Sequence, residues 1–493
     1  MKSVFTKALV MSAVFFMSIA ASNGQTNKGY TPVPMTPDVQ ALAQQILDVQ
    51  FSDPEKGNKL YQTMMKKIKK NNDQLISVGD FFLNNKVYSL ANFCARQVYT
   101  NDATYIPGLF FAGEVAYARR DYGTAGQKYE EILNIQPENT QAMQLNAFVY
   151  KNVNPHVAID MYNKIREIQP DNYEVDKELA DVYYNMNEFE DAAKYYEEYF
   201  KNVPKGKESE GAAENFVSSL HLNHDIEALS ANAKKFTELW PKSPVFKRMI
   251  FFSDVENYDV EAAEASSAYL HDASYIDTVY TYLDYEYAAQ YASDMKGDMP
   301  LAVQYMEKAI KKDPTKIDGL SKLANYKRNN GEYAEAIEIF KDYIAKKDKE
   351  ATMADTFKLA QFYLYASQAS TVGAEEKANF VKEGDRLFQL VEASQPTNFQ
   401  PTYYRAVINT TEEFSEDVRQ LYDKVLEKLG DNYDNESVRM RCDWYNVVYY
   451  INTANDNPAI LSKARKYVDD MLKMDDENEN ALNADKYLKA IIK

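Results

Sequence analysis

The phrase YEEILNIQPEN at residues 129–139 returns as YNKIREIQPDN at residues 162–172, 33 positions later. Both copies keep an aromatic residue, two aliphatic residues, a proline and an asparagine in the same order. Related phrases follow at residues 196–206 (YEEYFKNVPKG) and 306–316 (MEKAIKKDPTK). A segment that recurs at a near-constant period indicates a repeat architecture, in which each unit packs against an equivalent neighbour.

A small residue stands four positions before the first residue of each phrase, weaker copies add further small residues, and many of these lie 34 positions apart. In chain order, these small residues are Gly57, Ala91, Ala125, Ala158, Ala192, Ala302, Ala336 and Gly384. Apolar residues recur three and four positions apart around them, as on one face of a helix. A proline then ends the helix, and Asn139 and Asn172 stand where the next helix would be capped.

This unit resembles the tetratricopeptide repeat, in which about 34 residues form a helix, a turn and a second helix. The resemblance implies an all-α fold, an α-solenoid (superhelix) of about 11–12 repeats. It predicts that helix 106–119 pairs with 122–135, and that helix 173–186 pairs with 189–202. One such hairpin cannot bury its own apolar face, so the chain repeats the same interface in every unit.

The match to the repeat varies along the chain. The expected organisation is a signal peptide (1–24), a linker (25–37), an N-terminal repeat block (38–206), degenerate repeats (207–282), a C-terminal repeat block with loop insertions (283–478) and a capping helix (479–493). The degenerate stretch is either a bend or hinge, or ordinary drift within one superhelix. A loop insertion is expected at residues 366–377, between two helices.

The N-terminus is typical of a secretory signal. Lys2 and Lys7 precede an apolar run at residues 8–21, and small residues follow it. The run is short for a membrane anchor, which favours export over a buried N-terminal helix. The sequence therefore predicts an exported protein of the periplasm or outer-membrane periphery, or a secreted one. No later stretch has the length and apolarity expected of a membrane span.

Charge and cysteine content narrow the class of protein further. The net charge is −18, which argues against a surface for nucleic acid or for an anionic membrane. The two cysteines, Cys94 and Cys442, are too few and too far apart for a disulfide scaffold. We expect both to be small buried residues.

No motif points to catalysis or to a cofactor. The sequence contains no phosphate-binding GxxxxGK[ST] loop, no GxSxG and no dinucleotide fingerprint. His221 and His224 lie three residues apart beside Asp225, but no second ligand cluster supports a metal site. We interpret this stretch as a polar turn between helices, and we expect no enzyme, no cofactor and no metal.

The residues of the first helices offer a candidate binding surface. The chain has 39 tyrosines, more than the repeat core uses, and exposed tyrosine gives contact area at low entropic cost. In the family that the chain resembles, the first helices line a concave groove that holds partner segments. Mapped onto this sequence, the groove residues are Phe110, Glu114, Tyr117, Tyr150, Asp181, Tyr184, Asn185, Tyr287, Tyr291 and Arg328.

This groove would be aromatic and acidic, and we expect it to bind segments of other exported or envelope proteins. It departs from the basic, asparagine-rich clamp by which members of the family hold C-terminal carboxylates. The alternative is a glycan-binding accessory protein of the outer membrane, because exposed tyrosines also stack on sugars. Such proteins usually carry a lipidated N-terminal cysteine and a large non-repeat subdomain, and this sequence shows neither.

Overall fold

The computed structural model describes residues 28–430, 435–455 and 457–492. The expected signal at residues 1–24 lies outside this part. Within the described residues the chain is helical and contains no β-strand. It divides into two compact units, residues 1–241 and residues 242–493.

Unit 1 consists of six helical hairpins. Its helices are α1 (Pro37–Val49), α2 (Pro54–Ile68), α3 (Asn72–Asn84), α4 (Tyr88–Asn101), α5 (Ile106–Ala118), α6 (Tyr122–Ile135), α7 (Thr140–Tyr150), α8 (Pro155–Ile168), α9 (Tyr173–Asn185), α10 (Phe189–Asn202), α11 (Glu210–Leu222) and α12 (Ile226–Leu239). Each odd-numbered helix packs against the even-numbered helix that follows it.

Unit 2 continues the same alternation and ends on a single helix. Its helices are α13 (Pro244–Glu256), α14 (Val260–Ser266), α15 (Tyr282–Gln290), α16 (Met299–Lys312), α17 (Asp318–Asn329), α18 (Tyr333–Lys347), α19 (Met353–Gln368), α20 (Ala374–Ser394), α21 (Phe399–Asn409), α22 (Glu416–Leu429), α23 (Glu436–Thr453), α24 (Pro458–Met474) and α25 (Glu479–Ile491). A short 3₁₀ turn follows α14, and one π-helical turn extends α15.

The pairing of α5 with α6 and of α9 with α10 confirms the helices predicted from the repeat period. Twelve consecutive pairs precede α25 in the described part of the chain, so the expected all-α fold of helix–turn–helix repeats is confirmed. The helix lengths and the spacing of the helices resemble those of the tetratricopeptide repeat.

Two local expectations need correction. The insertion expected as a loop at residues 366–377 lies mostly in helix, because α19 runs to Gln368 and α20 begins at Ala374. The added turns are held by apolar contact, since the ring of Phe380 packs 5.9 Å from that of Tyr363. The side chain of Asn139 caps α7 as expected, whereas that of Asn172 makes no capping bond to α9.

The small residues that set the period lie where two helices touch. Ala125, Ala158 and Ala192 are fully buried, and so are Ala302 and Ala336 in unit 2. The first helix has matching positions that admit no side chain. A Cβ on Gly113 would lie 2.5 Å from Cε1 of Tyr129, far inside van der Waals contact. Small residues therefore let the two backbones approach closely enough to bury the large rings between them.

One exception to an apolar core in unit 2 is a buried carboxyl group on α23. Asp443 is 1% exposed, and its Oδ2 has no hydrogen-bond partner. Burial, with the nearby charge of Asp470 adding to it, raises the pKa of Asp443 from 3.8 to about 7. An ionised carboxylate in this position is therefore costly.

We expect Ala192→Leu to destabilise unit 1. The added methylene groups would overpack the contact between α9 and α10 and cost about 1–3 kcal/mol, seen as a lower melting temperature by circular dichroism. The control is Ala231→Leu, the same change at an exposed position of α12. A parent-like melting temperature for Ala192→Leu would contradict this assignment of the helix contact.

We expect Asp443→Asn to stabilise unit 2 at pH 8 but not at pH 4. The folded protein keeps the Asp443 proton up to about pH 7, whereas the unfolded chain loses it near the ordinary value of 3.8. Stability therefore falls as the pH rises between these values, by at most about 4 kcal/mol. Denaturant unfolding at both pH values measures the difference, with exposed Asp476→Asn as the control. Equal stability of the variant and the parent at pH 8 would rule out this cost.

Candidate partner-binding groove

The first helices of successive hairpins form the inner layer of each unit. In unit 1, α1 contacts α3, α3 contacts α5, and α9 contacts α11; in unit 2, α13 contacts α15, and α19 contacts α21. In a curved stack of hairpins, the layer whose members approach each other lies on the concave side. Side chains that leave this layer away from the second helices therefore line a groove within the unit.

An extended stretch of the chain already lies on this face of unit 1. Residues 28–36, here called the N-terminal segment, precede α1 and contact side chains of α3 and α5. The stretch expected as a linker (25–37) is thus, in its described part, bound to the groove. It is held by charge at one end and by its backbone at the other.

The charged contact joins one lysine to two carboxylates. Lys28 Nζ lies 3.0 Å from Asp80 Oδ1 on α3 and 3.2 Å from Glu114 Oε1 on α5. Burial raises the pKa of Glu114, and the charge of Lys28 opposes that shift. Burial alone would lower the pKa of Lys28, but the hydrogen bond to Asp80 and the charge of Glu114 raise it. The ammonium group therefore stays protonated between the two acids.

Tyr30 fills the space beside this ion pair. Its hydroxyl group donates a hydrogen bond of 2.8 Å to Asp80 Oδ1, and its ring meets that of Phe111 edge-on at 5.4 Å. The side chain is 8% exposed. Burial, together with the charges of Glu114 and Asp80, raises the pKa of Tyr30 well above its usual value. Tyr30 is thus a neutral hydrogen-bond donor and an apolar anchor at once.

Gly29, between these two residues, has no room for a side chain. Its φ of +74° lies in the left-handed region that favours glycine. A Cβ built on it would lie 2.3 Å from Cγ of Phe110, so the Phe110 ring forms the floor beneath the backbone. The sequence Lys-Gly-Tyr therefore fits this part of the groove in two ways: the lysine and tyrosine side chains make contacts, and the glycine has no side chain to collide with Phe110.

Further along, side chains of α3 bind the backbone of the N-terminal segment. Ser77 Oγ donates to the carbonyl oxygen of Val33 at 2.7 Å, and Gln74 Nε2 donates to that of Pro34 at 2.9 Å. Gln74 Oε1 in turn accepts a hydrogen bond from the Thr36 amide at 3.2 Å. Contacts of this kind recognise an extended chain with little regard to its side chains.

The N-terminal segment covers two of the residues predicted for the groove, Phe110 and Glu114. Phe110 is 2% exposed and lies beneath Gly29, because the N-terminal segment covers its ring. Glu114 does face the groove, but Lys28 occupies it. Sequence reasoning missed the covering segment because the repeat pattern begins only after it.

Tyr117 remains exposed and belongs to an aromatic cluster. Its ring centroid lies 5.5 Å from those of Tyr122 and Phe148, and the three side chains are 37–42% exposed. Phe148 was not predicted as a groove residue. Tyr150, which was predicted, is the last residue of α7 and packs its ring against Gly126 of α6, where its hydroxyl group donates to Glu130 Oε1 at 3.2 Å.

The α9 residues predicted for the groove are largely engaged within the protein. Asp181 accepts a hydrogen bond from the hydroxyl group of Tyr196 and lies 3.8 Å from the Lys177 ammonium. The ring of Tyr184 is half-buried against Phe189, and Asn185 is exposed at the end of the helix. Binding of a partner by these residues stays a prediction.

In unit 2, two of the three predicted groove residues pack inside the protein. The ring of Tyr287 stacks on Phe252 at 3.9 Å, and its hydroxyl group donates to Glu256. Tyr291 is 4% exposed and meets Phe251 edge-on. The expectation that the buried Tyr291 ring lines the groove is therefore wrong. Tyr287 is half-buried, and partner binding by this residue stays a prediction.

Arg328 is partly exposed, with its guanidinium group 4.9 Å from the ring centre of Tyr365.

Unit 2 also contains an open cleft of about 800 Å³ that the sequence did not reveal. Its charged lining residues are Asp385, Arg405, Asp417, Asp423, Lys424 and Glu427. Four carboxylates against two cations make it acidic, although Arg405 Nε is paired with Asp385 Oδ1 at 2.9 Å.

The histidine pair lies at a helix–helix turn, as interpreted from the sequence. His221 is in the last turn of α11, and His224 has a left-handed φ of 58° before α12. Asp225 caps α12 by accepting a hydrogen bond from the Ala228 amide. Among the described residues, no three His, Cys, Asp or Glu side chains are grouped to hold a metal ion.

Cys94 and Cys442 are both buried and unbridged, as the small core residues expected from the sequence. Within the described ranges, no helix combines the length and apolarity that crossing a bilayer requires.

Comparison with solved structures finds tetratricopeptide-repeat proteins at low identity. One is the C-terminal part of a TPR repeat-containing protein from Cytophaga hutchinsonii, with TM-score 0.31, 17% identity, 69% of this chain and 98% of that chain covered. A tetratricopeptide repeat protein from Parabacteroides merdae gives TM-score 0.34, 12% identity and coverage of 51% and 97%. The P58(IPK) TPR domain gives TM-score 0.21 and 14% identity, with 74% of this chain and 98% of that chain covered.

No protein-family model matches the chain, and no curated protein matches it. The fold assignment therefore rests on the helical hairpins of the chain itself, with their period and their buried small residues.

We expect Gly29→Ala to release the N-terminal segment from the groove. The new methyl group would collide with Phe110, and overpacking of about 1–3 kcal/mol lowers the equilibrium constant for docking at least about fivefold. Acetylation of the Lys28 amine, followed by mass spectrometry, measures the release. The control is Gly123→Ala on α6, where a Cβ meets nothing within 4 Å. If Lys28 is equally protected in Gly29→Ala and the parent, the fit at Gly29 is not required.

Proposed function

We propose that the chain is an exported, non-enzymatic scaffold of a bacterial cell envelope, which binds extended segments of other envelope proteins on the inner face of unit 1. The observation that carries this proposal is the N-terminal segment itself. Side chains of α3 and α5 hold this extended segment by charge, by aromatic contact and by hydrogen bonds to its backbone, which supports binding of a similar segment from a partner.

Export to the periplasm or the outer-membrane periphery belongs to the same proposal. Its support is the sequence of residues 1–24, with basic residues before an apolar run and small residues after it. The net charge of −18 fits partners that carry lysine or arginine. Binding through exposed carboxylates would weaken as salt screens them.

The free part of the proposed surface is the aromatic cluster of Tyr117, Tyr122 and Phe148. Tyr117 and Tyr122 belong to the same hairpin as Glu114, and Phe148 belongs to the next one. All three side chains are exposed rather than covered by the N-terminal segment. Large exposed aromatic side chains with a charged rim are typical of sites that anchor a protein partner. Lys151 supplies one such charge, 4.6 Å from the ring centre of Phe148.

We expect the double variant Tyr117→Ala, Phe148→Ala to lose partners from the cell envelope. Aromatic anchors commonly contribute about 2 kcal/mol or more each, so affinity should fall at least about a hundredfold. Pull-down of the tagged protein from envelope extract, with quantitative mass spectrometry, measures the loss. The control is Phe51→Ala, an exposed ring between α1 and α2.

Unchanged recovery of the same partners by the double variant would place the binding site elsewhere, with the acidic cleft of unit 2 as the next candidate. The same exposed rings favour one alternative, an outer-membrane-associated glycan-binding accessory protein. If soluble glycans compete with the recovered partners while salt has no effect on recovery, the result supports the glycan-binding alternative and contradicts the protein scaffold.

A further inference from the structure

We propose that the cleft between α3 and α5, lined by Asp80, Glu114, Phe110 and Phe111, recognises a Lys-Gly-Tyr motif in an extended segment of another protein. The N-terminal segment is the resident competitor, which such a partner must displace. This inference rests on the proposed function in taking the partner to be a protein, and it adds which chemistry the groove selects.

The lysine of the motif is required by the two acids. Asp80 and Glu114 come from different hairpins, and their side chains are only 12% and 28% exposed. Two carboxylates that converge on one point repel each other unless a cation lies between them. The compact ammonium group of Lys28 bridges both oxygens, 3.0 Å from one and 3.2 Å from the other. A cleft emptied of its own segment therefore favours a partner that restores the positive charge.

The glycine and the tyrosine follow from the floor and the wall of the cleft. Phe110 lies so close beneath Gly29 that any Cβ would collide with its ring. Tyr30 then places its ring edge-on to Phe111 while its hydroxyl group donates to Asp80. Phenylalanine could replace the ring contact but not this hydrogen bond. The spacing of lysine and tyrosine, with one glycine between them, is thus fixed by three separate contacts.

Beyond the tyrosine, the cleft selects an extended backbone rather than further side chains. Ser77 and Gln74 donate to the carbonyl oxygens of two residues of the occupant, Val33 and Pro34. Proline keeps its carbonyl group and favours an extended backbone, so Pro32 and Pro34 are compatible with this mode. A partner would therefore carry Lys-Gly-Tyr followed by an extended, proline-tolerant stretch.

A partner can displace the N-terminal segment because this segment is a short extended stretch outside the helices. It is tethered to α1, so its effective concentration at the cleft is on the order of millimolar. A partner that binds the empty cleft therefore appears weaker in the parent protein, in proportion to the occupied fraction. Variants that release the N-terminal segment from the cleft should therefore bind an added peptide more tightly than the parent does.

The test uses the full chain and a peptide of residues 28–36, KGYTPVPMT. The peptide is acetylated at its N-terminal α-amine, keeps a free lysine side chain and carries a fluorophore at its C-terminus. Lys28→Ala, Tyr30→Ala removes the anchors of the resident segment but leaves the cleft intact. Fluorescence anisotropy should show this variant binding the peptide at least about tenfold more tightly than the parent does. Gly29→Ala opens the cleft by a different route and should behave in the same way.

Two controls tie the binding to the cleft. In the opened protein, Glu114→Gln should weaken binding at least about tenfold, because a lysine then loses one of its charged partners. Asp160→Asn removes the same charge from an exposed position of α8 and should leave the affinity within about twofold. A peptide with alanine in place of the glycine should bind the opened protein at least about fivefold more weakly, because its methyl group would collide with Phe110.

The proposal is overturned if both opened variants keep the parent's circular dichroism spectrum and yet bind the peptide no better than the parent. Equal binding of the glycine and alanine peptides would likewise overturn it. A parent that runs as a dimer and dissociates on Lys28→Ala, Tyr30→Ala would assign the segment to a second copy, which also overturns it. The assay needs no natural partner, so it can fail while the pull-down of envelope proteins succeeds.

Discussion

The close approach of two helix backbones at small residues is the constraint on which the rest of the structure depends. Where Ala192 is fully buried, or where Gly113 admits the ring of Tyr129, a hairpin can bury large aromatic side chains in a thin layer. One hairpin still leaves an apolar face, which only a neighbour of the same shape can cover. The sequence therefore repeats the same small and apolar residues at a regular period, so that each hairpin has a neighbour of the same shape.

Stacking also decides the chemistry of the inner face. Equivalent positions of successive first helices lie next to each other, so acids separated by one repeat period, such as Asp80 and Glu114, meet around one point in space. Their repulsion is offset by Lys28, which comes from outside the repeats. The groove is therefore an incomplete electrostatic site, and the N-terminal segment completes it. A surface of this kind favours ligands that bring a cation and an extended backbone.

The aromatic residues show where sequence reasoning reaches its limit. Tyr117 is exposed as predicted, yet Tyr287 and Tyr291 pack into unit 2, and Phe148 rather than Tyr150 lies beside Tyr117. A shift of register by a single position turns a helix side chain by about 100°. A small slip in the period between neighbouring repeats is therefore enough to exchange a groove position for a packing position. Composition cannot tell a tyrosine that packs from one that is presented.

The sequence by itself determined the helices, their pairing and the small residues at their contacts, because each depends on residues within one period of the chain. Pro and Gly positions and the three- and four-residue spacing of apolar side chains carry that information locally. The tertiary structure alone decided that residues 28–36 lie in the groove and that Phe110 forms its floor. The contacts responsible join residues far apart in the sequence, such as Lys28 with Asp80, 52 positions away, and Lys28 with Glu114, which is further still. No local pattern records such a contact, because it exists only once the hairpins have stacked and brought their acids together.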